Sequence, residues 1–180
     1  MMTLRERYCS AQTFDAFLSG VETNRNLWHA IARRASVPDE LIGRVEATGQ
    51  RWHLLVLIED WCGDAVNVLP FIARLADGTA NLDLRVLGRD ANPDLMDGHL
   101  TGQSRSIPVV ILLDATFTER AWWGPRPREL QEWVLGSGSS MPKADRYRDV
   151  RRWYVQDHGI VVLNEIVSVI EEASAKGVAA

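Results

Sequence analysis

The sequence predicts an α/β fold: a mixed central sheet flanked by helices, with helical extensions at both ends. Three observations carry this. A continuous apolar run of strand length, Trp52-His53-Leu54-Leu55-Val56-Leu57-Ile58, gives way to a helical period and then to an alternating strand. A second run, Val109-Val110-Ile111-Leu112-Leu113, passes through a turn into a further strand. Toward both ends the apolar residues recur at helical spacing instead.

Residues 11–48 carry Phe14, Phe17 and Leu18, then Leu27, Trp28 and Ile31, and, after Pro38 at a helix start, Leu41, Ile42 and Val45. That spacing predicts an N-terminal helical extension over 1–50. The unbroken apolarity of 52–58 is the pattern of a strand covered on both faces, ended by Glu59 and Asp60. Residues 64–77 place Val68, Leu69, Ile72 and Leu75 on one helical face, and Leu82 to Leu87 alternates as a second strand. A short helix follows from about Asn92 to Leu100, started by a turn and cap at Asp90-Ala91-Asn92-Pro93. After the polar loop 101–106 and Ile107-Pro108 comes the strand 109–113, a turn at Asp114-Ala115-Thr116 and a strand through Trp122, forming a hairpin. Adjacent Trp122 and Trp123 must point to opposite faces of it. Pro127 opens a helix with Leu130, Trp133 and Val134; the linker Gly136-Ser137-Gly138-Ser139-Ser140 then leads to helices over about 143–156 and 160–175. The order β-α-β-α-β-β-α predicts a parallel, right-handed βαβ unit joined by antiparallel pairing in one sheet.

A chain of 180 residues has room for one domain with a sizeable core. The expected division is a core over 51–135, the extension over 1–50 and a second helical extension over 141–180. The net charge of −4 is mild and of the wrong sign for bulk attraction to nucleic acid or anionic lipid. Charge within the first eight residues and the lack of a long apolar run argue against a signal peptide or membrane span, so a cytoplasmic protein is expected. His29, His53, His99 and His158 are scattered without metal-ligand spacing, and no metal or cofactor is expected. Arg146, Arg148, Arg151 and Arg152, interrupted by Asp145 and Asp149, read as a solvated helix face, with an acidic partner as the alternative.

Only Cys9 and Cys62 are present, too few for a disulfide-stapled scaffold. Cys62 stands in Glu59-Asp60-Trp61-Cys62-Gly63-Asp64-Ala65, where the first central strand gives way to its helix. A cysteine at a helix N-terminus faces unpaired N–H groups and the positive end of the helix dipole, which favour the thiolate and predict a lowered pKa. Asp64 opposes this by its charge, although its carboxylate offers a proton shuttle or a helix cap. Gly63 keeps the turn unobstructed and Trp61 offers an aromatic wall. The plain alternative is that Cys62 is a small buried hydrophobe.

At these residues the chain resembles the thioredoxin superfamily, whose mark is Trp-Cys-Gly-x-Cys at a strand-to-helix junction and an Ile/Thr-Pro before the third core strand. Trp61-Cys62-Gly63-Asp64 and Ile107-Pro108-Val109 match these in order, and Trp123-Gly124-Pro125-Arg126-Pro127 is similar to a bacterial branch of the superfamily. The resemblance implies a thioredoxin-like fold, a cis Pro108 beside Cys62, and substrate contacts from Trp61, Gly63 and Ile107. It also exposes two departures: Ala65 stands where the family has its resolving cysteine, and Val56 where it often has a buried acid. Asp64 or Glu59 would have to take the acid's place. The expected chemistry is therefore monothiol exchange, with Cys62, Asp64 and Pro108 as catalytic residues. Its partners would be a disulfide-bearing protein or a low-molecular-weight thiol. A non-catalytic binding module and a thiol redox sensor are the alternatives, and Cys9 is a remote candidate for resolving thiol.

Overall fold

A computed structural model of the protein describes residues 2–178. Four short helices come first: α1 (Leu4–Ser10), α2 (Phe14–Gly20), α3 (Arg25–Arg34) and α4 (Asp39–Ala47). The centre comprises β1 (Trp52–Ile58), α5 (Gly63–Asp77), β2 (Leu82–Gly88), α6 (Pro93–Asp97), β3 (Val109–Leu113), β4 (Glu119–Trp123) and α7 (Arg128–Leu135). A 3-10 turn at Ser137–Ser140 leads to α8 (Lys143–Asp157) and α9 (Ile160–Val178). No helix among the described residues is long and apolar enough to cross a membrane. Helix α1 lies within the expected helical extension over 1–50, ahead of the apolar spacing that starts at residue 11. Its charged stretch is held by a capping box between Thr3 and Glu6 and by the buried Arg7, which donates to Asn92 at 2.6 Å.

The sheet has the order β2-β1-β3-β4, with β1 parallel to β2 and antiparallel to β3, and β3 antiparallel to β4. This is the thioredoxin-like mixed sheet. Burial follows position in the sheet: every residue of the central strands β1 and β3 is buried, whereas the edge strands β2 and β4 alternate. Trp123 faces inward at 7% exposure while Trp122 is 36% exposed. The outer edge of β2 is covered by Gln12, which exchanges both backbone hydrogen bonds with Val86 at 2.8 and 3.0 Å. Helix α5 buries most of its length beneath the sheet, flanked by α3 and α9.

Topology places three loops at one end of the sheet. Because β3 runs antiparallel to β1, with Leu57 opposite Val109, Pro108 lies at the end where β1 hands over to α5. Because β4 runs antiparallel to β3, with Trp123 opposite Val110, the segment Gly124-Pro125-Arg126 emerges at that same end. The opposite end is closed by the β3–β4 turn. There Asp114 accepts from the Thr116 and Thr118 amides at 2.8 and 3.0 Å and from the Arg120 guanidinium at 2.7 Å.

Burial raises the Asp114 pKa, but the Thr116, Thr118 and Arg120 donors outweigh it and bring the group down to about 2. A depressed carboxylate stabilises the fold above its unfolded pKa and loses that contribution as pH falls through the folded value. Asp114→Ala is therefore expected to cost about 2 kcal/mol at neutral pH, with the difference from wild type closing between about pH 4 and pH 2. Urea unfolding across that range measures it, and a pH-independent difference would contradict it.

Candidate active site

Cys62 is the N-cap of α5, with extended backbone ahead of the helix. Its Sγ accepts from the Ala65 N–H at 3.5 Å and donates to the Ile107 carbonyl at 3.3 Å. The Ile107–Pro108 peptide bond is cis, and Pro108 is buried. Gly124 packs against it: its φ is +137°, and a Cβ there would lie 2.1 Å from the Pro108 carbonyl oxygen, so only glycine fits. The loop before Cys62 is fastened to the N-terminal helices. Asp60 accepts from the Glu22 and Thr23 amides at 3.0 and 2.8 Å, and the buried Trp28 indole donates to the Asp60 carbonyl at 2.9 Å.

Asp64, in the first turn of α5, is 6% exposed. Arg126 grips it with two donors, Nε to Oδ1 at 2.9 Å and Nη2 to Oδ2 at 2.5 Å, and Tyr154 of α8 donates to Oδ1 at 3.0 Å. Gln131 accepts from Arg126 at 2.9 Å, completing the shell. Burial raises the Asp64 carboxyl above its usual range, against the pull of Arg126 and Tyr154. The forked guanidinium geometry is that of an ion pair, so the charge on Asp64 is matched within the protein. Arg126 lies in the motif 123–127, which resemblance singled out without giving it a role. Tyr154 carried no signal of involvement, because nothing local distinguishes it from other apolar-face residues of α8.

The thiol does not behave as a helix N-terminus alone predicts. Cys62 is 7% exposed, and burial together with the Asp64 charge pushes it up to about 11, against the pull of the Ala65 and Asp64 amides and Arg126. The expectation of a lowered pKa is thus corrected: desolvation outweighs the helix end. The Glu59 carboxylate accepts from the Asp90 N–H at 2.8 Å, and Val56 is buried in mid-strand. Nor does Gly63 answer a steric need of the fold, for a Cβ there would meet no atom within 4 Å. Cys9 is not brought to the site. The adjacent Tyr8 packs on His53 and Phe117 at the far end of β1, with ring centroids 5.0 and 5.3 Å away, and His53 lies five strand steps, about 16 Å, from Ile58.

Cys62 opens on a cavity of about 350 Å³. Trp61, Gly63, Asp64 and Asn67 line it from the α5 side, Asn24 and Leu27 from the start of α3, and Tyr147, Val150 and Arg151 from α8. The exposed Trp61 ring lies under the Arg89 guanidinium, 5.0 Å from the ring centroid. In the basic stretch of α8, Arg148 and Arg152 pair with Asp145 and Asp149 as a solvated face does, but Arg151 turns to the cavity.

A protein-family model described as thioredoxin matches residues 11–148, well over half of the chain, and the chain belongs to that family. The fold is similar to the 1.5 Å crystal structure of a protein of unknown function from Pseudomonas aeruginosa, with a TM-score of 0.76 and 22% identity over 96% of this chain and 99% of that one. It is equally similar to an HIV epitope-scaffold, with a TM-score of 0.75 and 19% identity over 95% of this chain and 99% of that one. No curated protein matches the sequence.

Two outcomes follow from the buried, protonated thiol. Iodoacetamide is expected to label the exposed Cys9 first at pH 7, with the Cys62 rate rising about tenfold per pH unit up to about pH 10. Asp64→Asn removes the charge that opposes the thiolate and is expected to move the midpoint of Cys62 labelling to lower pH; an unchanged midpoint would show that Asp64 does not act on the sulfur. Arg126→Met leaves a buried carboxylate unpaired and is expected to cost about 3 kcal/mol in urea unfolding.

Proposed function

We propose that the protein carries out monothiol thiol-disulfide exchange through Cys62. The Cys62 sulfur attacks a disulfide, forms a mixed disulfide and expels a thiol; an external low-molecular-weight thiol then attacks the mixed disulfide and restores Cys62. The observation that carries this reading is the placement of the sulfur, held by the Ala65 amide and the Ile107 carbonyl where a cavity meets the Pro108 loop, with alanine at the resolving position. Asp64, paired to Arg126, sets the proton affinity of the thiol. Ile107 and Pro108 align the incoming disulfide, and Trp61 and Gly63 form the wall and the open side of its path. The site draws on the N-terminal helices, the core and α8 together, which supports reading 1–180 as one thioredoxin-like domain. A reducing, thiol-rich compartment such as the cytoplasm suits the resolving step.

A binding module without turnover is favoured by one observation, the small thiolate fraction of a thiol pushed up to about 11. A redox sensor is less well supported, because oxidation follows thiolate character and exposure. Exchange and binding are separated by intact mass and turnover. Wild-type protein with a glutathione-type disulfide is expected to gain one adduct on Cys62, faster at higher pH, and Cys62→Ser none there. Ala65→Cys, whose sulfur would stand one helical turn from Cys62, is expected to lose the adduct and gain disulfide reductase turnover with dithiothreitol. No adduct in the wild type and no gain in Ala65→Cys would overturn exchange in favour of binding.

A further inference from the structure

The cavity beside Cys62 has a composition that its role as a thiol pocket does not require. Its volume of about 350 Å³ lies at the low end of the range for small-molecule sites. Helix α8 builds one wall with Tyr147, Val150 and Arg151, and α3 begins the opposite wall with Asn24 and Leu27. Three of the exposed large apolar side chains, Leu27, Trp61 and Tyr147, border this opening. Cys62 at its floor is only 7% exposed, so a disulfide must enter between these walls to be attacked by its sulfur.

The polar groups of the cavity are equally specific. Arg151 is exposed and has no ion-pair partner among the described residues, whereas Arg148 and Arg152 on the same helix are paired and Asp64 is matched by Arg126. The cavity therefore presents one uncompensated positive charge near a thiol. Asn67 uses its amide nitrogen on the Gly63 carbonyl at 2.7 Å, and Asn24 uses its own on the Trp61 carbonyl at 3.4 Å. Both side-chain oxygens are left as acceptors for N–H groups of a ligand.

We propose that the disulfide taken by Cys62 is a small one built from an amino-acid or short-peptide thiol, its carboxylate held by Arg151 and its amine or amide N–H groups by Asn24 and Asn67. The proposal rests on the exchange reading and narrows its substrate from any disulfide, protein-borne ones included, to this class. The reaction balances without another reagent. The bond between Cys62 sulfur and one ligand sulfur forms as the ligand's S–S bond breaks, and the thiol proton of Cys62 ends on the departing thiol.

The test compares oxidised glutathione, which carries carboxylates and amides, with cystamine, which is cationic and has neither. Rates of Cys62 adduct formation are followed by intact mass in wild type and in Arg151→Glu, a substitution at an exposed position. The ratio of the oxidised glutathione rate to the cystamine rate is expected to fall about tenfold or more in Arg151→Glu, since intrinsic reactivity cancels in the comparison. Asn67→Asp and Asn24→Asp are expected to lower it further by charge. A second arm titrates S-methylglutathione, which cannot exchange, into wild type and Arg151→Glu by calorimetry, with binding expected to weaken about fivefold or more in the variant. If adducts form but the ratio is unchanged, the substrate class is overturned while exchange stands. If no disulfide modifies Cys62 yet S-methylglutathione binds through Arg151, exchange is overturned and the ligand class stands as that of a binding module. If S-methylglutathione binding is absent or indifferent to Arg151, the proposal is overturned.

Discussion

The buried ion pair between Asp64 and Arg126 is the constraint on which the rest of this site depends. An acidic residue in the first turn of α5 is helpful to the helix but costly under the sheet, where water is excluded. The charge is tolerable only because Arg126 arrives from the loop after β4 and Tyr154 from α8 to satisfy it. Breaking either partner away would leave a charge or a lone pair without a match in a low-dielectric setting. The pair therefore fixes where the loop after β4 and the C-terminal helices must sit relative to the thiol. It also sets the thiol's own state, because an anion beside a buried sulfur disfavours a second anion.

Topology makes this arrangement possible. Antiparallel pairing of β3 on β1 and of β4 on β3 brings the ends of those strands to one edge, so that residues 62, 108 and 124–126 become neighbours without long excursions. The fit at that edge is close. Gly124 presses its backbone on the Pro108 carbonyl, and Trp123 and the Arg128 amide are both tied to Glu165 of α9, at 2.6 and 2.9 Å. The Pro108 loop is thus clamped between the helix that Cys62 caps and the segment that carries Arg126.

Much of this was legible in the sequence, and the reasons are physical. Strands β1 and β3 announced themselves because both faces are covered, and β2 because only one is. The motif at 61–64 located the cysteine at the start of α5, and Ile107-Pro108 located its neighbour. What could not be read was anything set by distant burial. The sign of the Cys62 shift reversed because burial and the Asp64 charge outweigh a helix end that would otherwise favour the thiolate. Tyr154 and Arg151 looked like ordinary residues of an amphipathic helix, since their roles come from which way that helix docks. The bounds of α1 within the helical extension could not be read, because charged, short helices owe their existence to caps and to partners such as Asn92 rather than to an apolar stripe.

The participation of α8 orders events in time as well as in space. A ribosome extends the chain from its N-terminus, so the sheet, Cys62 and even Arg126 are all synthesised before Tyr154 and Arg151. Until the last two helices emerge, the sulfur lacks one wall of its cavity and Asp64 lacks one of its donors. A nascent chain at that stage presents a more open and more solvated thiol than the finished protein, in a cell full of other thiols and disulfides. Completion of synthesis is then the step that closes the cavity around Cys62.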